Sequence, residues 1–256
     1  MTNHISSSNP PGPLLRLVAL VVLTLGLPAS ADTKKTDKHL FILSGQSNMT
    51  GGLKTGFTKT VEDAFGEDNV AVVHHSKSGR GIRFWDKDYT FPDNYRFPGK
   101  GVPSERSKQQ HGQEYGPLIE KVQEAFKGKM YDTVTFVWMQ GESDGKRGLA
   151  DVYEKSFLRL LGQMKTDLDR KDIGFVIGRI NDSSMSEPHW TAMRDVQVKL
   201  AEDADHGVWI DTDDLSEPED GVHFPKENYS ILGQRFAKKA IELIRKGSAR
   251  NMNEIK

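Results

Sequence analysis

Five short apolar runs, most of them separated by segments of helical period, constrain this chain more than any other feature. Leu40-Phe41-Ile42-Leu43, Val70-Ala71-Val72-Val73, Val134-Thr135-Phe136-Val137-Trp138, Ile173-Gly174-Phe175-Val176-Ile177 and Val208-Trp209-Ile210 read as strands. Runs without polar alternation suit strands covered on both faces, as in a parallel sheet. Tyr115, Leu118, Ile119, Val122 and Phe126 recur at helical spacing and stop at Gly128, a C-terminal cap. Tyr153, Phe157, Leu160, Leu161, Met164 and Leu168 form a second stripe, and Trp190, Met193, Val196 and Leu200 a third. Tyr229, Leu232, Phe236, Ala240 and Leu243 form the last, ending before Gly247. The stripes are core faces. The alternation predicts a three-layer α/β/α sandwich with a mostly parallel five-stranded sheet. No repeat and no second domain is visible.

The first 31 residues have another purpose. Arg16 opens an apolar stretch from Leu17 to Leu27, followed by Pro28 and the small-residue exit Ala29-Ser30-Ala31. That is the layout of a secretory signal peptide, and the stretch is short for a bilayer span of roughly 20 residues. The expected product is residues 32–256, a single domain, secreted or periplasmic and free of the membrane after cleavage. The chain has no cysteine, which removes disulfides, a thiol nucleophile and Cys-ligated metal. Cleavage removes one positive charge and no negative one, leaving a slightly acidic protein without a basic stripe, so nucleic acid is not an expected partner.

Two stretches interrupt the alternation. Residues 50–69 are expected to hold a short helix around Val61 to Phe65. Residues 86–112 mix Tyr89, Phe91, Tyr95 and Phe97 with proline, glycine and charge, and read as an ordered functional loop. Asp86-Lys87-Asp88 opens like a calcium loop but lacks the glycine and terminal glutamate that an EF-hand needs.

Three polar blocks sit where these elements end: Gly45-Gln46-Ser47-Asn48-Met49, Gln140-Gly141-Glu142-Ser143-Asp144 and Asp220-Gly221-Val222-His223. In open parallel sheets, functional residues gather at the carboxyl ends of strands. Ser47 follows the first strand, Gly79 the second and Gln140 the third, while Asp220 and His223 lie between the fifth strand and the last helix. Serine needs a base to take its proton, the imidazole of His223 could serve as that base, and Asp220 could orient the ring. Donors for an oxyanion are available from the Ser47 and Gly79 backbone and the Gln140 amide.

Each block also has a plainer reading. Ser47 could cap a helix, and Asp220-Gly221 is a good turn dipeptide. His74 and His75 are adjacent and point to opposite faces of a strand, with no third ligand, so no metal is expected. Glu142 and Asp144 could form a glycosidase pair, which requires a separation that sequence does not give. Gly79-Arg80-Gly81 lacks the third glycine of a dinucleotide fingerprint.

Together the blocks resemble those of the SGNH-hydrolase superfamily, a flavodoxin-like fold, and within it the sialate O-acetylesterase-like group, carbohydrate esterase family 6. Trp138 to Asp144, Asp220 to His223 running into Asn228-Tyr229-Ser230-Ile231-Leu232-Gly233, and Trp190 through Arg194 to Gln197 ahead of Asp211-Thr212-Asp213-Asp214-Leu215 carry the likeness. The second block departs from the group's Gly-Gly-Thr-Ser-Ile: here it is Ser78-Gly79-Arg80-Gly81-Ile82, with Trp85 in the expected place. The resemblance implies Ser47 as nucleophile, His223 as base, Asp220 as its partner, and an oxyanion hole from Ser47, Gly79 or Gly81, and Gln140. Gln46, Asn48, Arg80, Trp85 and Glu142 would line the site, with the 86–112 aromatics as a sugar-stacking wall. It implies removal of O-acetyl groups from sialic acid, xylan or a related glycan, without cofactor. A non-catalytic carbohydrate-binding protein, or an esterase for a non-sugar acyl ester, are the alternatives.

Overall fold

Each apolar run forms a strand, and the period of two along each strand decides which helix covers it. The computed structural model describes Met1, residues 37–215 and residues 221–254. The signal segment and Asp220 lie outside the described residues. In order, the elements are β1 (His39–Gly45), α1 (Gly51–Phe65), β2 (Val70–Ser76), α2 (Glu105–Lys108), α3 (Tyr115–Phe126), β3 (Thr133–Met139) and α4 (Glu142–Gly145). Then come α5 (Ala150–Asp167), β4 (Ile173–Gly178), α6 (Trp190–Glu202), β5 (Gly207–Ile210) and α7 (Asn228–Glu254). The strands form one sheet in the order β2-β1-β3-β4-β5, and every pairing is parallel.

Leu40 and Ile42 of β1 pack with Phe136 and Trp138 of β3 on one face, beneath α3, α5 and α6. Phe41 and Leu43 pack with Val137 and Met139 on the other, beneath α1 and α7. All eight are at most 1 % exposed and therefore fully desolvated. Burial of side chains this size stabilises by roughly 1.5–3 kcal/mol each before conformational entropy is subtracted. A one-residue slip of either central strand would exchange the faces and lose most of that.

The sheet order places the site. β1 and β3 are neighbours, yet α1 leaves β1 toward one face and α5 follows β3 on the other. Between two such diverging connections a crevice opens at the carboxyl ends of the strands.

Two helices differ from expectation. The short helix expected near Val61 is the end of α1, which starts at Gly51: Thr50 Oγ1 caps it by accepting from the Leu53 N–H at 3.1 Å. Its glycines permit contact with α7. A Cβ at Gly56 would lie 2.2 Å from Ser230 O, and one at Gly233 would lie 2.1 Å from Leu53 O. Contact this close carries the start of α7 to the β1–α1 turn. α7 itself continues past Gly247, where an open surface position tolerates glycine at about 1 kcal/mol of helix propensity.

Gly56→Ala and Gly233→Ala should each cost about 1–3 kcal/mol, because the methyl group meets backbone that cannot step aside. Urea unfolding checks this; midpoints within error of the wild type would contradict the close packing.

Candidate active site

β1 ends against β3 so tightly that only glycine fits. Gly45 has φ +148°, and a Cβ there would lie 1.9 Å from Met139 O. The Gln46 N–H then donates to Met139 O at 3.0 Å, and Met49 N–H closes a turn on Gln46 O at 3.0 Å. Ser47 stands on that turn, half-buried, at the mouth of a cavity of about 800 Å³. From the other side of the chain, His223 Nε2 comes within 2.8 Å of Ser47 Oγ.

A single buried amide holds these segments together. Asn48 is fully buried, and its Nδ2 donates to Glu142 Oε1 at 2.6 Å and to Val222 O at 2.9 Å. Its Oδ1 accepts from the Tyr229 hydroxyl at 2.9 Å. Val222 O, next to His223, also receives Asn181 Nδ2 at 3.1 Å, and Ser184 Oγ donates to Gly221 O at 2.6 Å. Further back, Arg194 and Arg179 both hold Asp213, which fixes the exit of β5. Asn181 and Ser184 carry no motif and were invisible in the sequence as site residues. Only their place just after β4 could have pointed to them.

Glu142 lines the cavity with its carboxyl buried, and burial pushes its pKa up against the lowering effect of the Asn48 hydrogen bond. Its Oε2 has no hydrogen-bond partner among the described residues. Asp144 is equally buried and also pushed up by burial, although Gln140 and the Ile82 N–H both donate to its Oδ2.

The middle block is arranged differently from its sequence reading. Gln140 is fully buried and does not line the cavity. Its Nε2 donates to Asp144 Oδ2 at 2.5 Å, Gln46 Oε1 at 3.2 Å and Arg80 O at 3.3 Å, which leaves no amide hydrogen for an oxyanion. The cavity-facing amide is that of Gln46. Its Oε1 is fixed by Gln140 Nε2 and by the Ser143 N–H at 3.2 Å, while its Nε2 makes no hydrogen bond among the described residues. The backbone N–H groups of Ser47 and Gly79 are likewise unbonded among the described residues, and both residues border the cavity.

The second block separates its two glycines. Gly79 is exposed at the cavity, whereas Gly81 is buried with the Asp144 carboxylate 2.8 Å from where its Cβ would be. Arg80 and Trp85 do not line the site. Arg80 turns away to stack on Phe84 and approach Glu114 at 3.7 Å. Trp85 is fully buried, edge-on to Trp138 at 5.2 Å, because the sheet face beneath α5 needs a large apolar side chain there. Arg83, not singled out from sequence, lines the cavity instead.

The 86–112 segment reaches the cavity, but not as a wall of open rings. Phe91 stacks on Tyr95 at 5.3 Å and meets Phe97 edge-on at 5.3 Å, and Tyr89 packs on Phe91 at 5.0 Å. The rings form a small core of the loop's own, and Phe97 alone of the four lines the cavity. His74 and His75 bond to Met49 O and Glu114, and no group of three potential metal ligands occurs among the described residues.

Chemically, a hydroxyl hydrogen-bonded to an imidazole beside unbonded N–H donors can attack a carbonyl and stabilise the resulting oxyanion.

The family model described as carbohydrate esterase, sialic acid-specific acetylesterase matches residues 52–242. No curated protein matches the chain in sequence. Several solved structures share the fold. A protein from Arabidopsis thaliana has TM-score 0.61 and 16 % identity, covering 80 % of this chain and 98 % of its own. A carbohydrate acetylesterase from Xanthomonas citri has TM-score 0.58 and 16 % identity, covering 77 % and 55 %. A carbohydrate esterase family 3 protein from Talaromyces cellulolyticus has TM-score 0.54 and 14 % identity, covering 81 % and 98 %.

Two outcomes follow from the Asn48–Glu142 pair. Asn48→Ala removes three hydrogen bonds, to Glu142, Val222 O and Tyr229, and should cost at least about 2 kcal/mol in denaturant unfolding; a loss below about 0.5 kcal/mol would contradict the role of the amide. Glu142 has a raised folded pKa, so its contribution to stability is complete below the ordinary value of 4.5 and is lost as pH rises through the folded value. Glu142→Gln should therefore flatten the decline of Tm with pH above 4.5, and an identical slope in the two proteins would refute it.

Proposed function

Because the chain belongs to the carbohydrate esterase family of sialic acid-specific acetylesterases, we propose that Ser47 is its nucleophile and His223 its base. The enzyme is a carboxylic ester hydrolase acting on acetylated carbohydrate. The observation that carries the residue assignment is the 2.8 Å approach of His223 Nε2 to Ser47 Oγ, between segments far apart in the chain.

The reaction runs in two halves. Ser47 Oγ attacks the acetyl carbonyl carbon as its proton passes to His223 Nε2. The tetrahedral oxyanion is met by the backbone N–H groups of Ser47 and Gly79 and by Gln46 Nε2. Gln140 acts one step behind, holding the Gln46 carbonyl so that its nitrogen faces the cavity. Collapse expels the sugar oxygen, which takes the proton from His223, and the acetyl group stays on Ser47. Water, deprotonated by the same imidazole, then attacks the acyl-enzyme; the second tetrahedral intermediate collapses, Ser47 Oγ takes the proton back from His223, and the acetyl group leaves as acetic acid, which ionises to acetate. Asp220, three residues before His223, is the proposed partner for Nδ1, holding the tautomer and stabilising the imidazolium.

The arrangement requires no metal or cofactor. Residues 1–31 are proposed as a cleaved signal, which places the enzyme outside the cytoplasm with glycan as substrate. Among the described residues no helix is long and apolar enough to cross a membrane. Glu142, as a buried carboxyl bonded to Asn48, serves as a brace and not as a glycosidase acid.

Acetate release from an aryl acetate, acetylated xylan and O-acetylated sialic acid tests the reading. Ser47→Ala and His223→Ala should each lose at least about 10³-fold in kcat/KM. Gln46→Ala should lose about 10²- to 10³-fold in kcat, the usual effect of removing one oxyanion donor. Wild-type rates in Ser47→Ala would overturn the nucleophile assignment, and no release from any acetyl ester would favour a protein that only binds carbohydrate.

A further inference from the structure

Among the described residues the fold buries or partly buries eight arginines, and six of them have a carboxylate within 4.0 Å. The two exceptions, Arg83 and Arg147, both line the cavity that holds Ser47. Elsewhere this protein neutralises a half-buried guanidinium internally; here it does so at neither position.

Both groups are nevertheless held in place. Arg83 donates from one nitrogen to Ser107 O at 2.8 Å and from the other to Gln110 Oε1 at 3.2 Å. Arg147 donates to Ser143 O at 2.5 Å. These partners are neutral: they fix the guanidinium groups without cancelling their charge. Lys100 and Lys146 add positive charge at the rim, and neither forms an ion pair among the described residues. The acidic side is weak. Asp144 attracts both arginines without an ion-pair contact, and Glu142 lines the same cavity, but burial pushes both carboxyls toward the neutral form. The cavity therefore carries excess positive charge facing the space that a substrate must enter.

An uncompensated guanidinium pair in a partly desolvated cleft is suited to an anionic group with several oxygens, since arginine presents paired N–H donors in a rigid plane. Neutral xylan offers no such group. We propose that Arg83 and Arg147 form an anion subsite beside Ser47, receiving a carboxylate or sulfate carried by the acetylated sugar. The enzyme on this account prefers acidic saccharides to neutral ones. The proposal rests on the esterase reading of the same cavity, and it goes further by assigning residues that select the substrate.

The test compares matched substrates that differ only in charge. Wild-type kcat/KM is measured for an O-acetylated sialic acid and its methyl ester, and for an acetylated hexose with and without a sulfate group. At least one anion should be favoured by about 10- to 100-fold over its neutral counterpart, the range for hydrogen bonds to charged groups. Which pair shows the preference identifies carboxylate or sulfate. Arg147→Gln should bring the ratio close to one, and Arg147→Lys should restore part of it. The ratio is insensitive to partial misfolding, which lowers both rates alike. A wild-type ratio near one in both pairs, with the aryl acetate still hydrolysed, would overturn the subsite and leave the esterase reading standing. Calorimetric binding to Ser47→Ala needs no turnover: equal affinity for each anion and its neutral counterpart there would overturn the subsite even if the esterase reading had failed.

Discussion

The Asn48 side chain has two amide hydrogens and one carbonyl oxygen, and all three are used inside the protein. One hydrogen goes to Glu142 at the start of α4, the other to Val222 beside His223, and the oxygen takes the Tyr229 hydroxyl at the start of α7. These partners come from two distant parts of the chain, α4 and the segment that runs into α7, and no water can replace a bond at a fully buried amide. The distance between Ser47 and His223 is therefore fixed by the residue next to the serine. The buried network restrains geometry to the extent that every member is satisfied.

The same principle explains the cavity wall. Gln46 faces the substrate space because Gln140 and the Ser143 N–H hold its carbonyl from behind, and Gln140 is in turn held by Asp144. Tyr153 and Gln197 both donate to Gln140 O, at 2.7 and 2.8 Å, which ties this layer to α5 and α6. Donors aimed before the reaction begins need not reorganise as the oxyanion forms, which is where most of their value lies.

Much of this was legible in the sequence, for physical reasons that also explain the misses. Strands announced themselves because both faces are buried, and three polar blocks following apolar strands could only lie at one edge of a parallel sheet. Trp85 was misread because spacing says that a tryptophan is present but not which side of the backbone it faces; Trp138 decides that. Gln140 and Gln46 are both glutamines at strand ends, and only the hydrogen-bond network tells which amide is engaged. The 86–112 aromatics looked like a binding platform, yet an insertion of that length needs a core of its own, and they supply it. α1 is longer than the expected short helix near Val61, and Gly56 within it is present because α7 lies against it. The charge of the cavity could not be read at all, since pairing of an arginine is a property of the folded chain.

The central claim is that acetyl transfer passes through Ser47 with His223 as base. Rapid-quench peptide mass spectrometry during turnover of an aryl acetate tests it most directly. The account predicts a transient mass increment of one acetyl group on the peptide containing Ser47, absent in Ser47→Ala and greatly slowed in His223→Ala. An acetyl group accumulating on a different residue at a rate matching turnover would contradict it.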